Sequence, residues 1–170
     1  LAIVERLAGF DVETIGVRYT PSKGGPADTV IGFDRDDFHA ALAETEYLVL
    51  ASPLTETTRG LIYAAALETL GPDAYLVNIA RGELVETDAL VAAIRSQSLR
   101  CAALDVTDPD PLPTDHPLST FENVFITPLH ACHSQEHCSR LADIVADTVP
   151  RPACTGDCQP LENLVRRPSP

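Results

Sequence analysis

The sequence predicts an α/β protein with a Rossmann-type, doubly wound parallel sheet, and three observations lead to this fold class. Short, wholly apolar segments of the kind buried on both faces of a parallel sheet alternate with amphipathic segments of helical period. Glycine and proline stop signals separate them. Of the 170 residues, 45% are hydrophobic, which is enough for one well-formed core. Strands that alternate with helices form right-handed βαβ units, whose loops meet at the carboxyl ends of the strands.

The predicted strands are β-branched or apolar runs bounded by turn residues. They are 12–19, 47–51, 74–79, 101–106 and 123–126. The first is followed by a turn-rich segment, 20–27, which contains two Gly and two Pro. We expect all of these strands to belong to one mostly parallel sheet.

The predicted helices are 3–10, 34–44, 61–70, 87–96 and 134–149. Asp34, Thr87 and Ser134 are residue types that cap helix N-termini, and Gly71-Pro72 is a typical helix stop. The first helix has no cap before it, so we expect the beginning of a longer element to be missing. The last twenty residues read as loop, except for the short apolar segment 161–165.

Composition excludes several function classes. With 25 acidic and 12 basic residues the net charge is −13, which disfavours nucleic acid and anionic membranes as partners. No apolar run approaches the roughly 18–20 residues that span a bilayer. Five cysteines, an odd number, do not form a secreted disulfide framework, so we expect a cytoplasmic protein with reduced thiols and an acidic surface.

The loops predicted to meet at the edge of the sheet contain a series of short motifs. In chain order they are Ser52-Pro53-Leu54-Thr55, Thr58-Arg59-Gly60, Asn78-Ile79-Ala80-Arg81-Gly82, Leu104-Asp105-Val106, Pro109-Asp110-Pro111 and Asn123-Val124-Phe125-Ile126-Thr127-Pro128. In this order they resemble the D-isomer-specific 2-hydroxyacid dehydrogenases over about residues 1–165. The resemblance implies hydride transfer between NAD(P) and a small 2-hydroxy or 2-oxo acid, usually in a homodimer.

The resemblance also implies a domain organisation. Residues 1–127 would be a partial NAD(P)-binding Rossmann-type domain, and residues 128–170 a C-terminal segment that returns toward a substrate domain. The glycine-rich fingerprint G-x-G-x-x-G does not occur in the sequence. We therefore expect the chain to begin just after that loop, with its N-terminal βα unit truncated.

Arg81 and Asp105 are the first candidate site residues. Arg81 follows a predicted buried strand and precedes Gly82, so its planar guanidinium would stand at the mouth of the crevice and could bind a carboxylate with two hydrogen bonds. By resemblance, Arg81 holds the 2-oxo acid and Asp105 binds the nicotinamide carboxamide. The residues that would line the dinucleotide are Ser52, Pro53, Thr58, Ile79 and Ala80.

At the proton-transfer position the chain departs from the family pattern, which is Pro-His where this chain has Pro128-Leu129-His130. Three alternatives stay open: His130 acts as the acid/base, His133 does, or no histidine does. Asp110 aligns with the acidic residue that pairs with the catalytic histidine, and Asp108 is the neighbouring candidate. A carboxylate beside an imidazole favours its charged form.

The cofactor preference is predicted from the end of the first strand. NAD enzymes keep an acid there for the ribose 2′-hydroxyl, whereas NADP sites use Arg and hydroxyl residues for the 2′-phosphate. Here the candidate cofactor-binding residues are Arg18, Tyr19, Thr20, Ser22 and Lys23. They include no acid, so the sequence predicts NADP, with NAD possible, and Arg18 could also stack on the adenine.

The sequence also allows two competing interpretations. The histidines and cysteines near the end could form a zinc site, but their spacing is irregular and we expect free thiols and no metal. These residues are His130, Cys132, His133, His137, Cys138, Cys154 and Cys158. Alternatively, the chain could be a catalytically inactive dinucleotide-binding module, a sensor or interaction protein, because Leu129 stands where the catalytic histidine is expected.

Overall fold

A computed structural model describes residues 2–131, 134 and 136–148. All strand pairings among these residues are parallel, which confirms the α/β class. The chain divides into two compact units, Leu1–Leu129 and His130–Pro170. No helix within the described part has both the length and the apolar character needed to cross a membrane.

The first unit opens with helix α1 (Ala2–Leu7) and a small two-stranded sheet. Strand β1 (Ile15–Val17) pairs with β2 (Thr29–Ile31), with Gly16 opposite Val30. The Thr14 backbone N–H and hydroxyl both donate to the Asp28 carboxylate, at 2.8 and 2.6 Å. These hydrogen bonds join the residue before β1 to the residue before β2, and they thereby fix the register in which the two strands pair.

The main sheet has the order β3-β4-β5-β6. Its strands are Tyr47–Leu50, Tyr75–Asn78, Cys101–Leu104 and Val124–Ile126. Three helices precede or connect them, α2 (Arg35–Ala43), α3 (Ala64–Leu70) and α4 (Thr87–Arg95). Because neighbouring parallel strands joined by right-handed crossovers place their helices on the same side, α3 contacts both α2 and α4.

The core lies between these helices and one face of the sheet. Every second strand residue points into it, as the pleat requires, and Leu76 and Ala102 are completely buried. From the helices come Leu42, Leu67 and Leu90.

The opposite face of the main sheet is less covered. Tyr47 is 64% exposed, Val49 38% and Phe125 66%. Tyr47 stacks on Tyr75 across the β3–β4 pair, with ring centroids 4.8 Å apart. This face is apolar but open.

The structure differs from the predicted elements most clearly in three places. Strand β2 was not predicted, and β1 pairs with it in a separate sheet rather than joining the main one. Helix α3 begins at Ala64 rather than at residue 61, because Ile62 forms a β-bridge with Val85. Helix α5 (His137–Thr148) begins three residues after Ser134, whose carbonyl accepts the His137 N–H at 3.1 Å in a preceding turn. The apolar segment 161–165 lies outside the described residues.

Candidate active site

The carboxyl ends of the main strands are aligned in one row. The register places Leu50 beside Asn78 and Asn78 beside Leu104. Backbone hydrogen bonds continue one residue further: the N–H groups of Ile79, Asp105 and Thr127 donate to the carbonyls of the neighbouring strands' last residues at 3.2, 2.9 and 2.9 Å. The first loop residues of β4, β5 and β6 therefore stand side by side at one edge of the sheet.

Asn78 shapes the loop that carries Arg81. Its side chain is buried, its amide Nδ2 donates to the Arg81 carbonyl at 2.8 Å, and its Oδ1 accepts the Ala80 N–H at 3.0 Å. The loop is thus folded by a strand residue rather than by its own side chains. The sequence interpretation missed Asn78, although a polar residue at the end of an otherwise apolar strand is a usable signal.

Gly82 brings the Arg81 loop against the loop after β5. A Cβ at Gly82 would lie 2.1 Å from both the carbonyl carbon and the oxygen of Thr107, a distance that no real side chain tolerates. The Thr87 hydroxyl, at the start of α4, donates to the Asp108 carbonyl at 2.7 Å and holds that second loop in place. The close approach of the two backbones therefore requires glycine.

These two loops line a cavity of about 360 Å³ that is open to solvent. Its lining residues are Arg81, Gly82, Glu83, Val106, Thr107, Asp108, Asp110 and Leu129. Three predicted site residues are brought together here: Arg81, Asp110 and the alternative Asp108. The Arg81 guanidinium donates to the Ala80 carbonyl at 2.6 Å and is in neither of the two ion pairs found among the described residues. Among the described residues, therefore, no carboxylate forms an ion pair with this guanidinium.

Asp105 is buried directly behind this row. It is 7% exposed, and its carboxylate accepts the Thr127 hydroxyl at 2.6 Å while its backbone carbonyl accepts the Leu129 N–H at 3.0 Å. Asp105 therefore ties the end of β5 to the segment that follows β6. Thr127 was not among the predicted site residues, although it belongs to one of the quoted motifs.

Leu129 lines the cavity at the position where the family resemblance expects a histidine. It is 48% exposed and has a left-handed backbone, with φ of 55°, which is uncommon for a residue other than glycine. His130, the predicted acid/base, follows as an exposed residue at the start of the second unit. His133 lies outside the described residues.

The loop after β3 holds three predicted dinucleotide-lining residues. Ser52 is half-buried and Pro53 is exposed, but Thr58 is only 4% exposed. The Thr58 hydroxyl donates to the Pro53 carbonyl at 2.8 Å and accepts the Thr55 N–H at 2.8 Å. Thr58 therefore shapes this loop from within. Of the two predicted lining residues after β4, Ile79 is 40% exposed at the edge of the sheet and Ala80 is buried.

The predicted phosphate-binding residues follow β1. Arg18 is half-buried and its guanidinium donates to the Gly24 carbonyl, across a short 3-10 turn, Pro21–Lys23. Tyr19 is 82% exposed. Thr20 is half-buried, and Ser22 and Lys23 are exposed. Two cations and two hydroxyls, with no acid between residues 18 and 23, make a donor set that suits a phosphate monoester better than a ribose hydroxyl.

The histidine and cysteine cluster lies partly within the described residues. Cys132, His133, Cys154 and Cys158 lie outside the described residues. Within the described part, no three His, Cys, Asp or Glu side chains come close enough together to hold a metal ion. Cys101 and Cys138 are free thiols.

Comparison with known proteins adds independent evidence. Residues 1–131 match the model of the D-isomer specific 2-hydroxyacid dehydrogenase, NAD binding domain. An uncharacterized protein from the proB 3′ region of Corynebacterium melassecola is 40% identical over 134 residues, which are 79% of this chain and 43% of that protein. A glyoxylate reductase of Thermofilum pendens is 35% identical over 147 residues, 86% of this chain and 43% of that protein.

Comparison with solved structures leads to the same family. A D-isomer specific 2-hydroxyacid dehydrogenase from Xanthobacter autotrophicus Py2, crystallised with NADPH and MES, superposes with a TM-score of 0.84 at 31% identity, covering 97% of this chain and 65% of that one. The chain spans 43% of the length of the curated relatives described above. Since the family model matches well over half of the chain, the chain belongs to the D-isomer specific 2-hydroxyacid dehydrogenase family, through its NAD binding domain.

Proposed function

We propose that the protein is an NADP-dependent reductase that transfers hydride between NADP(H) and a small 2-oxo or 2-hydroxy acid. The observation that carries this proposal is the cavity where Arg81, Asp108 and Asp110 meet at the carboxyl ends of the strands. Parallel α/β sheets bind their ligands at this edge. The glyoxylate reductase relative supports the substrate class.

Arg81 binds the substrate carboxylate in this proposal. Its guanidinium has five N–H donors, and within the part of the chain that the structure describes one nitrogen, Nη1, donates to the Ala80 carbonyl. The fork geometry allows two parallel hydrogen bonds to a carboxylate, which fixes the orientation of the neighbouring carbonyl carbon. The Asn78 side chain donates a hydrogen bond to the Arg81 carbonyl and so holds the Arg81 backbone in place. Substrate binding therefore costs less conformational entropy at Arg81.

NADPH, when bound, supplies the hydride. Arg18, Thr20, Ser22 and Lys23 would hold its 2′-phosphate, with Tyr19 at the rim, because they offer cations and hydroxyls without an acid. Ser52, Pro53 and Ile79 would line the dinucleotide, and the buried Thr58 and Ala80 would shape the loops that carry them. Asp105 would orient the carboxamide, and the NADPH complex of the Xanthobacter relative supports the choice of cofactor.

Proton transfer is assigned to His130 with Asp110 as its partner. The alkoxide formed at the substrate needs a proton, and imidazole is the side chain whose ordinary pKa is closest to neutral pH. Asp110 lines the cavity and is exposed, so its carboxylate is available to favour the imidazolium form.

The test is NADPH oxidation by the full-length protein with glyoxylate and hydroxypyruvate. We expect turnover that falls at least about 100-fold in Arg81→Gln, since this change removes a charge-assisted, bidentate contact of about 3 kcal/mol. Glu68→Gln, an exposed change on α3, is the matched control and should leave turnover unaltered. Equal rates in wild type and Arg81→Gln would refute the assignment of Arg81.

A second candidate function is a dinucleotide-binding module without turnover, and Leu129 favours it. An apolar side chain lines the cavity at the position where the resemblance expects the acid/base. The double variant Leu129→His/His130→Ala separates the two candidates. An inert wild type together with an active double variant would establish the binding module; an active wild type that loses activity in His130→Ala would establish the reductase.

We also propose that the protein is cytoplasmic and that it forms a homodimer at full length. The exposed apolar residues Tyr47, Val49 and Phe125 support self-association, and the free thiols of Cys101 and Cys138 support a reducing compartment. Sedimentation equilibrium of the full-length protein should give about twice the mass of its chain. A single species at the monomer mass would overturn the dimer.

A further inference from the structure

The loop after β3 is held in two parts. Its first part, residues 51–58, is fixed from within, because the Thr58 hydroxyl donates to the Pro53 carbonyl and accepts the Thr55 N–H, both at 2.8 Å. Thr58 is 4% exposed, so water does not compete for these bonds. This part contains Ser52 and Pro53, which the proposed function places against the dinucleotide. The bonds that shape the cofactor side of the loop therefore lie inside it.

The second part, residues 60–62, is bonded instead to the segment that follows Arg81. Ile62 and Val85 form a short parallel β-bridge. Three backbone N–H groups donate between the two segments, at 2.8, 2.9 and 3.0 Å: Gly60 to the Glu83 carbonyl, Ile62 to the Leu84 carbonyl, and Glu86 to the Ile62 carbonyl. The loop after β3 thus supports the loop that carries Arg81.

Burial makes this support difficult to break. Ile62 and Leu84 are completely buried, and Val85 is 5% exposed. A backbone hydrogen bond that is broken in such surroundings leaves its donor and acceptor unpaired, which costs free energy. Asn78 holds the Arg81 carbonyl from the strand side. Arg81 is therefore fixed from both sides, by Asn78 before it and by the bridge after it.

Gly60 starts the bridge in a conformation that favours glycine. Its φ is 60°, in the left-handed region, which β-branched residues rarely adopt and which Asn tolerates better than most residues. A Cβ at this position would be in ordinary contact with the Glu86 side chain, at 3.7 Å. The constraint is therefore the backbone conformation, which directs the Gly60 N–H to the Glu83 carbonyl.

We propose that Gly60 is a positioning residue for substrate binding: it acts through the Glu83 carbonyl to hold Arg81 where the guanidinium meets the substrate carboxylate. Thr58 holds the cofactor side of the same loop independently. The inference rests on the proposed function, because it takes Arg81 as the anchor of the substrate carboxylate. It goes further by separating the residues that support each of the two ligands.

Binding measured without turnover tests this separation. The full-length protein is titrated with NADPH and then, at saturating NADPH, with oxamate, whose amide carbonyl resists hydride; NADPH fluorescence reports both. Gly60→Val should weaken oxamate binding at least about tenfold, because the strained turn no longer holds Glu83 and Arg81 leaves its bidentate position. NADPH affinity should stay within about twofold of wild type, because the Thr58 bonds are retained.

Three variants separate positioning from general damage to the fold. Thr58→Val should give the reverse pattern, with NADPH bound about tenfold more weakly and oxamate, at saturating NADPH, changed little. Gly71→Val is the matched control, since Gly71 is also left-handed, with φ of 83°, and ends α3 away from these loops; both affinities should stay unchanged. Gly60→Asn tolerates the left-handed turn and should bind oxamate within about threefold of wild type.

The outcomes are distinguishable. If Gly60→Val binds oxamate as tightly as wild type, or if its two affinities fall together, Gly60 does not position Arg81 and the proposed function stands. If Gly60→Val does not fold, Gly60→Ala, with less strain, is measured against the same two affinities and decides in the same way. If wild type does not bind oxamate, or Arg81→Gln binds it equally well, the anchor is wrong, and the proposed function is overturned together with this inference.

Discussion

Two polar side chains buried at the carboxyl edge of the main sheet organise the candidate site. Asn78 is 1% exposed and Asp105 is 7% exposed, and both bond to the backbone or side chain of a neighbouring loop. Buried polar groups cost free energy unless they are hydrogen-bonded, so these bonds hold the loops in one arrangement. Arg81, a candidate substrate-binding residue, stays accessible because buried residues fix the loop that carries it.

Gly82 offers the most specific test of this packing. Gly82→Ala places a Cβ against the Thr107 carbonyl and must push the two loops apart, so we expect a loss of about 3 kcal/mol or more in unfolding free energy. Gly9→Ala is the matched control, since a Cβ there meets nothing within 4 Å. Urea denaturation of both variants checks this. Equal stability of the two would contradict the close approach.

Thr127 tests the link between Asp105 and the segment after β6. Thr127→Val removes the hydroxyl that donates to the buried carboxylate, and we expect a loss of about 1.5–3 kcal/mol, typical of a hydrogen bond to a charged group. Thr127→Ser keeps the donor and should retain most of the stability. A Thr127→Val protein as stable as Thr127→Ser would show that the bond contributes nothing.

At the scale of elements, the parallel order of the main sheet follows from readable patterns, whereas the small sheet does not. Each main strand is an apolar run, and a segment of clear helical period precedes or follows it. These patterns are sufficient to predict βαβ units. Strand β2 has only three residues, Thr29–Ile31, between polar and glycine residues, and is set by pairing with β1 rather than by its own pattern. Likewise the local sequence around Ile62 predicts a helix, but Ile62 forms a long-range β-bridge with Val85. This tertiary contact overrides the local helix propensity.

The candidate site could be predicted in part for the same reason. Residues such as Arg81 and Asp110 stand in loops whose position follows from strand order, and the structure brings them to one cavity. Thr58 points into its own loop, and this orientation depends on the conformation of that loop. The close backbone approach at Gly82 depends on the conformations of two loops together. Such relations between distant segments leave little trace in local sequence.

The small sheet has a measurable electrostatic signature. The Thr14 hydroxyl, and then its backbone N–H, lower the pKa of Asp28 below its ordinary value of 3.8. A lowered carboxyl pKa stabilises the fold above the ordinary value, and this contribution is lost as pH falls through the lowered pKa. We expect Thr14→Val to raise the pKa of Asp28 in an NMR titration, because the hydroxyl that contributes most to lowering it is removed. An unchanged pKa of Asp28 would show that the hydrogen bond from the Thr14 hydroxyl does not stabilise this carboxylate.

At the scale of the whole molecule, the net charge of −13 is the dominant property. Excess negative charge destabilises a compact state by self-repulsion, and salt screens it. We therefore expect the thermal midpoint to rise by several degrees between about 0.05 and 0.5 M NaCl, where the Debye length falls below about 10 Å. Differential scanning calorimetry checks this, and a midpoint that falls with salt would show that attractive ion pairs outweigh the repulsion.

The account depends most on the claim that the loops after the parallel strands form one substrate site around Arg81. The most direct measurement is a crystal structure of the chain with NADP⁺ and oxamate, a 2-oxo acid analogue. We predict oxamate in the cavity with its carboxylate within about 3 Å of two Arg81 nitrogens, the range of charge-assisted hydrogen bonds. Oxamate bound elsewhere, with the Arg81 guanidinium directed away from it, would contradict the account.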